Sequence, residues 1–263
     1  MNKNLIGTTE ANGYPFLPLR ERLAIYQKIG FRSVMLWWGE PDGVGDKETR
    51  KERVALAQEY GLQVENVHSD LENSNALWMP GLFGDEKMRA IIKAVEDCQS
   101  CGVERLVLHL TNGINAPDVS GIGLQRFERI LACAIKCEVV LAIENVRTEK
   151  HVRYVLDHYS DRHVAFCYDS GHANVWCKDV DWLSLYGDRL AAVHLHDNRG
   201  QEDEHICPLA GAINWSKVMT QINDSAYTGS LTLETEYRGD ADIEKLEVFL
   251  RESYDSGLRL GVL

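Results

Sequence analysis

No apolar run in this chain approaches the roughly 20 residues that a helix needs to cross a bilayer, so no membrane span is expected. The opening stretch, MNKNLIGTTEANGYPF, lacks the apolar core of a secretory signal, and a cytoplasmic location is the expectation. Positive charge is also short. Against 40 Asp and Glu there are 28 Lys and Arg, a formal net charge of −12, with no basic run or tail. A duplex nucleic acid demands a basic surface that replaces its condensed counterions, so this balance argues against a nucleic-acid partner. Prolines number six, and no linker or low-complexity segment divides the chain, so residues 1–263 read as a single domain. The seven cysteines are an odd, scattered set, which suits a reducing compartment. The one CxxC, Cys98 to Cys101, has no second CxxC near it. It reads as two cysteines near one helix end rather than as half of a zinc ribbon.

What the chain does have is alternation. Short apolar runs recur as LIGTTE (5–10), RSVMLWW (32–38), LQVENVH (62–68), RLVLHL (105–110), VVLAIEN (139–145), VAFCYDS (164–170), LAAVHLH (190–196) and SLTLETE (230–236). Most are near-continuous, as expected of parallel strands buried on both faces. Between them lie amphipathic stretches such as LRERLAIYQKIG and TRKERVALAQEYG, several ending at a glycine that stops a helix; DIEKLEVFLRESYDSG closes the series. Eight such units predict an α/β fold, a single (β/α)8 TIM barrel. A doubly wound open sheet is the alternative, but no GxGxxG follows the first strand.

In a barrel of this kind the strands' C-terminal ends form the active site. The ionisable residues of the strand candidates gather there. His68 ends the third run, His109 lies near the end of the fourth and Glu144 near the end of the fifth. Asp169 ends the sixth, with His172 just beyond, His194 and His196 end the seventh, and Glu234 lies near the end of the eighth. Taken singly, each reads as a rim residue, a helix cap or a solvated charge. Taken together, they would all be aimed at one mouth. Burying so many ionisable groups is costly unless metals or hydrogen bonds compensate, so a metal site is expected. Imidazole mixed with carboxylate, and no cysteine at these positions, suits zinc, manganese, cobalt or iron better than calcium or magnesium.

The motifs AIENVR, CYDSGHANVW, HLHDN…DEH…GAINW and LTLETEY resemble the xylose isomerase-like TIM barrel superfamily, over all eight units and most specifically from Glu144 to Glu234. That resemblance implies a sugar or sugar-phosphate isomerase or epimerase with a divalent metal, zinc or manganese, at Glu144, Asp169, His194 and Glu234. The endonuclease IV group of the same superfamily holds three zinc ions with nine residues. The matching positions are His68, His109, Glu144, Asp169, His172, His194, Asp203, His205 and Glu234, all of matching type. One to three ions are therefore implied. Two positions depart from the ketose 3-epimerases: Lys150 stands where they carry a substrate-binding Glu, and Gly200 where they carry an Arg, with Arg199 adjacent. The acidic charge and the want of a basic, aromatic-interleaved loop depart from the nuclease.

Glu144 and Glu234 are expected to carry the proton next to a substrate carbonyl, with a sugar or polyol as the small-molecule partner. A multi-zinc phosphodiesterase, a dehydratase of inosose-like substrates and a non-catalytic sugar-binding barrel are the alternatives. Arg147, Arg199 and Arg238 follow strand ends and are candidates for gripping a phosphate or carboxylate. Trp37, Trp38, Trp78 and Trp176 are candidates for the wall of a sugar pocket. Within HLHDNRGQEDEH, His194 reads as a ligand of the first metal and Asp203 and His205 as ligands of another. His196 and Asp197 read as groups that fix the loop, and Glu204 as solvated. Homo-oligomerisation is left open.

Overall fold

The apolar runs form eight short strands because β-branched and aliphatic residues pack on both faces of a parallel sheet. The computed structural model describes residues 5–39 and 47–263; residues 1–4, which begin the opening stretch read above, and 40–46 lie outside the described residues. The strands are β1 (Ile6–Thr9), β2 (Ser33–Trp38), β3 (Gln63–Ser69), β4 (Arg105–Leu108), β5 (Val140–Glu144), β6 (Val164–Asp169), β7 (Leu190–Leu195) and β8 (Leu231–Leu233). They close in sequence order into a parallel barrel, with β1 paired to both β2 and β8. This is the predicted (β/α)8 architecture.

The helices are α1 (Leu19–Ile29), α2 (Arg50–Glu59), α3 (Leu82–Cys101), α4 (Gly121–Cys137), α5 (Glu149–His158), α6 (Ser170–Trp176), α7 (Trp182–Tyr186), α8 (Trp215–Asp224) and α9 (Ile243–Leu260). Local chemistry sets their ends. Thr49 and Glu52 form a reciprocal capping box at the start of α2. Gly102 ends α3 in a left-handed conformation (φ 71°) that other residues adopt at a cost. The main core, including Phe31, Trp38, Phe127, Phe166 and Trp182, packs between the sheet and the helices.

Inside the barrel, Val107, Ala142, Cys167 and Ala192 form a separate cluster of small residues. Side chains alternate along a strand, so the residues two positions on, His109, Glu144, Asp169 and His194, point the same way one layer higher. A register shift between Phe166 and Cys167 aligns Asp169 with His194 across β6 and β7. The small lower layer is thus roofed by titratable side chains at the barrel's C-terminal mouth.

Candidate metal centre at the barrel mouth

Glu144, at the end of β5, is fully enclosed and surrounded by imidazoles. Its oxygens lie 3.2 Å from His68 Nε2, 3.1 Å from His109 Nε2, 3.1 Å from His172 Nδ1 and 3.3 Å from His194 Nδ1. Burial opposes its ionisation, yet His109 and His194 hold the carboxyl well below the usual carboxylate range. Asp169 caps α6, its Oδ1 accepting the His172 backbone N–H at 2.6 Å, while its Oδ2 meets His196 Nε2 at 3.2 Å. Asn145 clamps this corner by exchanging two 2.8 Å hydrogen bonds with the Asp169 backbone.

The loop after β7 brings a second group. Asp203 Oδ2 lies 3.2 Å from His205 Nε2 and 3.4 Å from His172 Nε2. His205 adopts a left-handed backbone (φ 49°), a conformation that typically costs a non-glycine residue about 1 kcal/mol. Burial lowers its imidazole's pKa, but Asp203 and Glu234 override that and raise it to about 10. Burial pushes the Glu234 carboxyl up, against the pull of His194 and His205.

Hydrogen bonding shows how these imidazoles are used. His68 Nδ1 lies 2.8 Å from the Ser69 carbonyl, His172 Nδ1 2.9 Å from the Asn145 carbonyl, and His205 Nδ1 2.7 Å from the Glu234 carbonyl. A carbonyl can only accept, so each Nδ1 carries a proton, and each Nε2, which faces a carboxylate oxygen, holds either a second proton or a cation between itself and that oxygen. A backbone carbonyl behind the ring is the arrangement that orients metal-ligating histidines. In addition, His194 Nε2 and His196 Nδ1 are buried without a hydrogen-bond partner. Such orphaned atoms cost about 1–3 kcal/mol each unless something binds them. The donor set fits a divalent metal.

Four groups of potential ligand atoms each lie within 4.8 Å of one another: His68, His109 and Glu144; Glu144, Asp169, His194 and Glu234; His196, His205 and Glu234; and Glu144, Cys167 and His194. Every ligand position expected from the sequence is therefore in contact with this cluster. Two members were not anticipated as ligands. His196, read as a loop-fixing group, joins His205 and Glu234. Cys167, from the small-residue layer just below, brings its Sγ within reach of Glu144 and His194. It precedes Asp169 by two residues on β6, and that spacing was the available signal.

The cluster floors a cavity of about 450 Å³ whose lining includes Trp37, Arg147, Trp176 and Glu236. Trp37 stacks on His68 at 4.9 Å, and Trp176 leans on His172 at 4.9 Å. Five other expectations need correction. Trp38 is buried in the core beneath Arg50, and Trp78 is buried with its Nε1 donating to the Leu110 carbonyl. Arg199 and Arg238 stand outside the cavity lining, Arg199 paired with Glu204 and Arg238 with Glu236 at the cavity rim. Glu204 is accordingly a half-buried partner of Arg199 rather than a solvated charge. Asp197 ties its loop together, accepting from the Ile213 backbone at 3.2 Å and Trp215 Nε1 at 2.7 Å.

Comparison with known proteins places these features. An uncharacterized protein, y4fM, of Sinorhizobium fredii (strain NBRC 101917 / NGR234) is 32% identical over 258 residues, covering 82% of this chain and 81% of that protein. Among solved structures, D-psicose 3-epimerase with D-tagatose, from Clostridium cellulolyticum H10, superposes with a TM-score of 0.74 at 15% identity over 96% of both chains. The IOLI protein with a binding zinc atom superposes with a TM-score of 0.77 at 12% identity over 97% of both chains. At those identities the structural likeness speaks to the fold alone. The family model described as xylose isomerase-like TIM barrel matches residues 23–254, and the chain belongs to that family.

Proposed function

We propose that this protein is a sugar isomerase or epimerase that moves a proton next to a carbonyl with the help of a divalent metal, zinc or manganese. The observation that carries this reading is the grouping of Glu144, Asp169, His194 and Glu234, whose ligand atoms lie within 4.8 Å of one another, with Glu144 and Glu234 lining the cavity and Asp169 and His194 buried behind them. Those four side chains would hold the metal. When bound, it would polarise the substrate carbonyl and the neighbouring hydroxyl and so stabilise the developing enediolate. Glu144 and Glu234 rise from β5 and β8, three strands apart around the barrel. One carboxylate takes the proton from carbon and the other returns one. Return to the opposite face of the same carbon gives an epimer, and return to the neighbouring carbon gives an isomer.

Trp37 and Trp176 offer aromatic wall to a sugar's C–H faces, and a cavity of about 450 Å³ has room for a monosaccharide. The likeness to sugar epimerases is in keeping with this reading. Incubation of zinc- or manganese-loaded protein with pentuloses and hexuloses, both neutral and carrying a carboxylate or phosphate, in deuterated water tests it. Deuterium entering the carbon beside the carbonyl supports the proposal, and both Glu144→Gln and Glu234→Gln should abolish uptake.

A second reading, a multi-metal phosphodiesterase, is favoured by the sharing of Glu144 among three ligand groups and by Asp203 lying between His172 and His205. His68, His109, His172, Asp203 and His205 would then hold further ions, up to three in all. Cleavage of a duplex containing an abasic site, without deuterium uptake by any sugar, would favour it.

A further inference from the structure

The guanidinium of Arg147 lies over the Trp176 indole at 4.4 Å from the ring centroid, and Trp176 in turn leans on His172. Arg147 follows Asn145 by two residues, and Asn145 is locked to Asp169 and His172 by its own hydrogen bonds. The base of this stack is therefore fixed to the metal-ligating layer, while the guanidinium sits in the wall of the cavity.

Arg147 also differs from the chain's neighbouring cations. Arg199 and Arg238 are paired with Glu204 and Glu236, and Lys150, three residues on, with Asp118. Deeper in the same wall, Arg53 is paired with Glu10, whose backbone carbonyl accepts from Arg22. Among the described residues, Arg147 makes no ion pair and no side-chain hydrogen bond. A guanidinium stacked on an aromatic face keeps its N–H edge free for a planar, two-pronged acceptor. Nearby, the Thr111 and Thr148 hydroxyls, 2.9 Å apart, tie the β4 and β5 loops together on this side.

We propose that the Arg147–Trp176 platform is a subsite for an oxyanion carried by the substrate, a carboxylate or a phosphate, so that the barrel acts on acidic rather than neutral sugars. This rests on the sugar-isomerase reading for its substrate class, but on separate residues. A carboxylate or phosphate on the guanidinium edge forms charge-assisted hydrogen bonds that a hydroxyl does not match.

Calorimetric titration with matched pairs tests this directly: D-glucuronate against D-glucose for the carboxylate, and D-ribulose 5-phosphate against D-ribulose for the phosphate. Titrations of metal-loaded and chelator-treated protein separate the guanidinium's contribution from any made by a metal. In the unaltered protein, at least one anionic member should bind about tenfold or more tightly than its neutral partner. Arg147→Met should bring that ratio close to one, whereas Arg199→Met, which removes an exposed and already paired cation, should leave it intact. The pair that shows the preference identifies the oxyanion. Absence of a preference in both pairs, its survival in Arg147→Met, or its equal loss in Arg199→Met would overturn the proposal. Parallel deuterium exchange separates the two claims. An Arg147-dependent preference without exchange sinks the isomerase reading and leaves the subsite standing, and exchange in neutral sugars without any preference does the reverse.

Discussion

The imidazoles of His196 and His205 lie face to face, their centroids 3.8 Å apart and their planes within 5° of parallel. His196 also meets Asp169 at 3.2 Å, and His205 meets Asp203 at 3.2 Å. The stack thus joins the carboxylate of the four-residue group to the ligands on the loop after β7. Gly171 makes room for it, since a Cβ there would come within 1.9 Å of the His196 ring.

His196→Gln should therefore lower metal affinity at the Asp169 group by about 10–100-fold, as loss of a partner behind a metal ligand commonly does. Gly171→Ala should reproduce the loss by displacing the ring without removing it. Competition titrations against a chelating dye would measure both. Affinity unchanged in both variants would show that the stack serves packing alone.

Removal of metal should destabilise the fold. A ligand at about 100 times its Kd adds roughly 2.7 kcal/mol, which for a chain of this size corresponds to about 5–10 °C in Tm. Differential scanning calorimetry with and without a chelator, followed by re-addition of zinc or manganese, would read this. An unchanged Tm would argue that the ligand groups are satisfied by protons.

Away from the mouth, His151 is buried against the Trp78 ring at 4.6 Å, and burial pushes its pKa down to about 4. The unfolded chain binds this proton near pH 6.5, whereas the folded chain resists it until about pH 4. The unfolded state therefore holds more protons in that window, and stability falls as pH drops from 6.5 toward 4, by up to about 3 kcal/mol. Urea unfolding of His151→Leu beside the unaltered protein should show a shallower loss across the window. Parallel curves would contradict the assignment.

Much of the site was legible because strand alternation is a strict period of two. Once Glu144, Asp169 and His194 were placed near strand ends, closure of the barrel brought them together. The same rule separates Trp37, which faces the cavity, from its neighbour Trp38, which faces the helices. It also puts Cys167 on the Asp169 face, although the chain's cysteines had been read as a scattered structural set. The arginines were harder. Arg147, Arg199 and Arg238 all follow strand ends, but loop conformation decides that two of them turn to Glu204 and Glu236 while Arg147 stacks on Trp176. His196 was undervalued because its role depends on a ring stack with a residue nine positions along a loop, which no periodicity encodes.

The proposed chemistry depends on metal held at the barrel mouth, and elemental analysis of protein purified without chelators reads that metal directly. At least one equivalent of zinc or manganese per chain should remain after gel filtration and be lost in His194→Ala and in Glu144→Ala. No retained metal, together with no binding heat on titration with zinc or manganese, would contradict that chemistry.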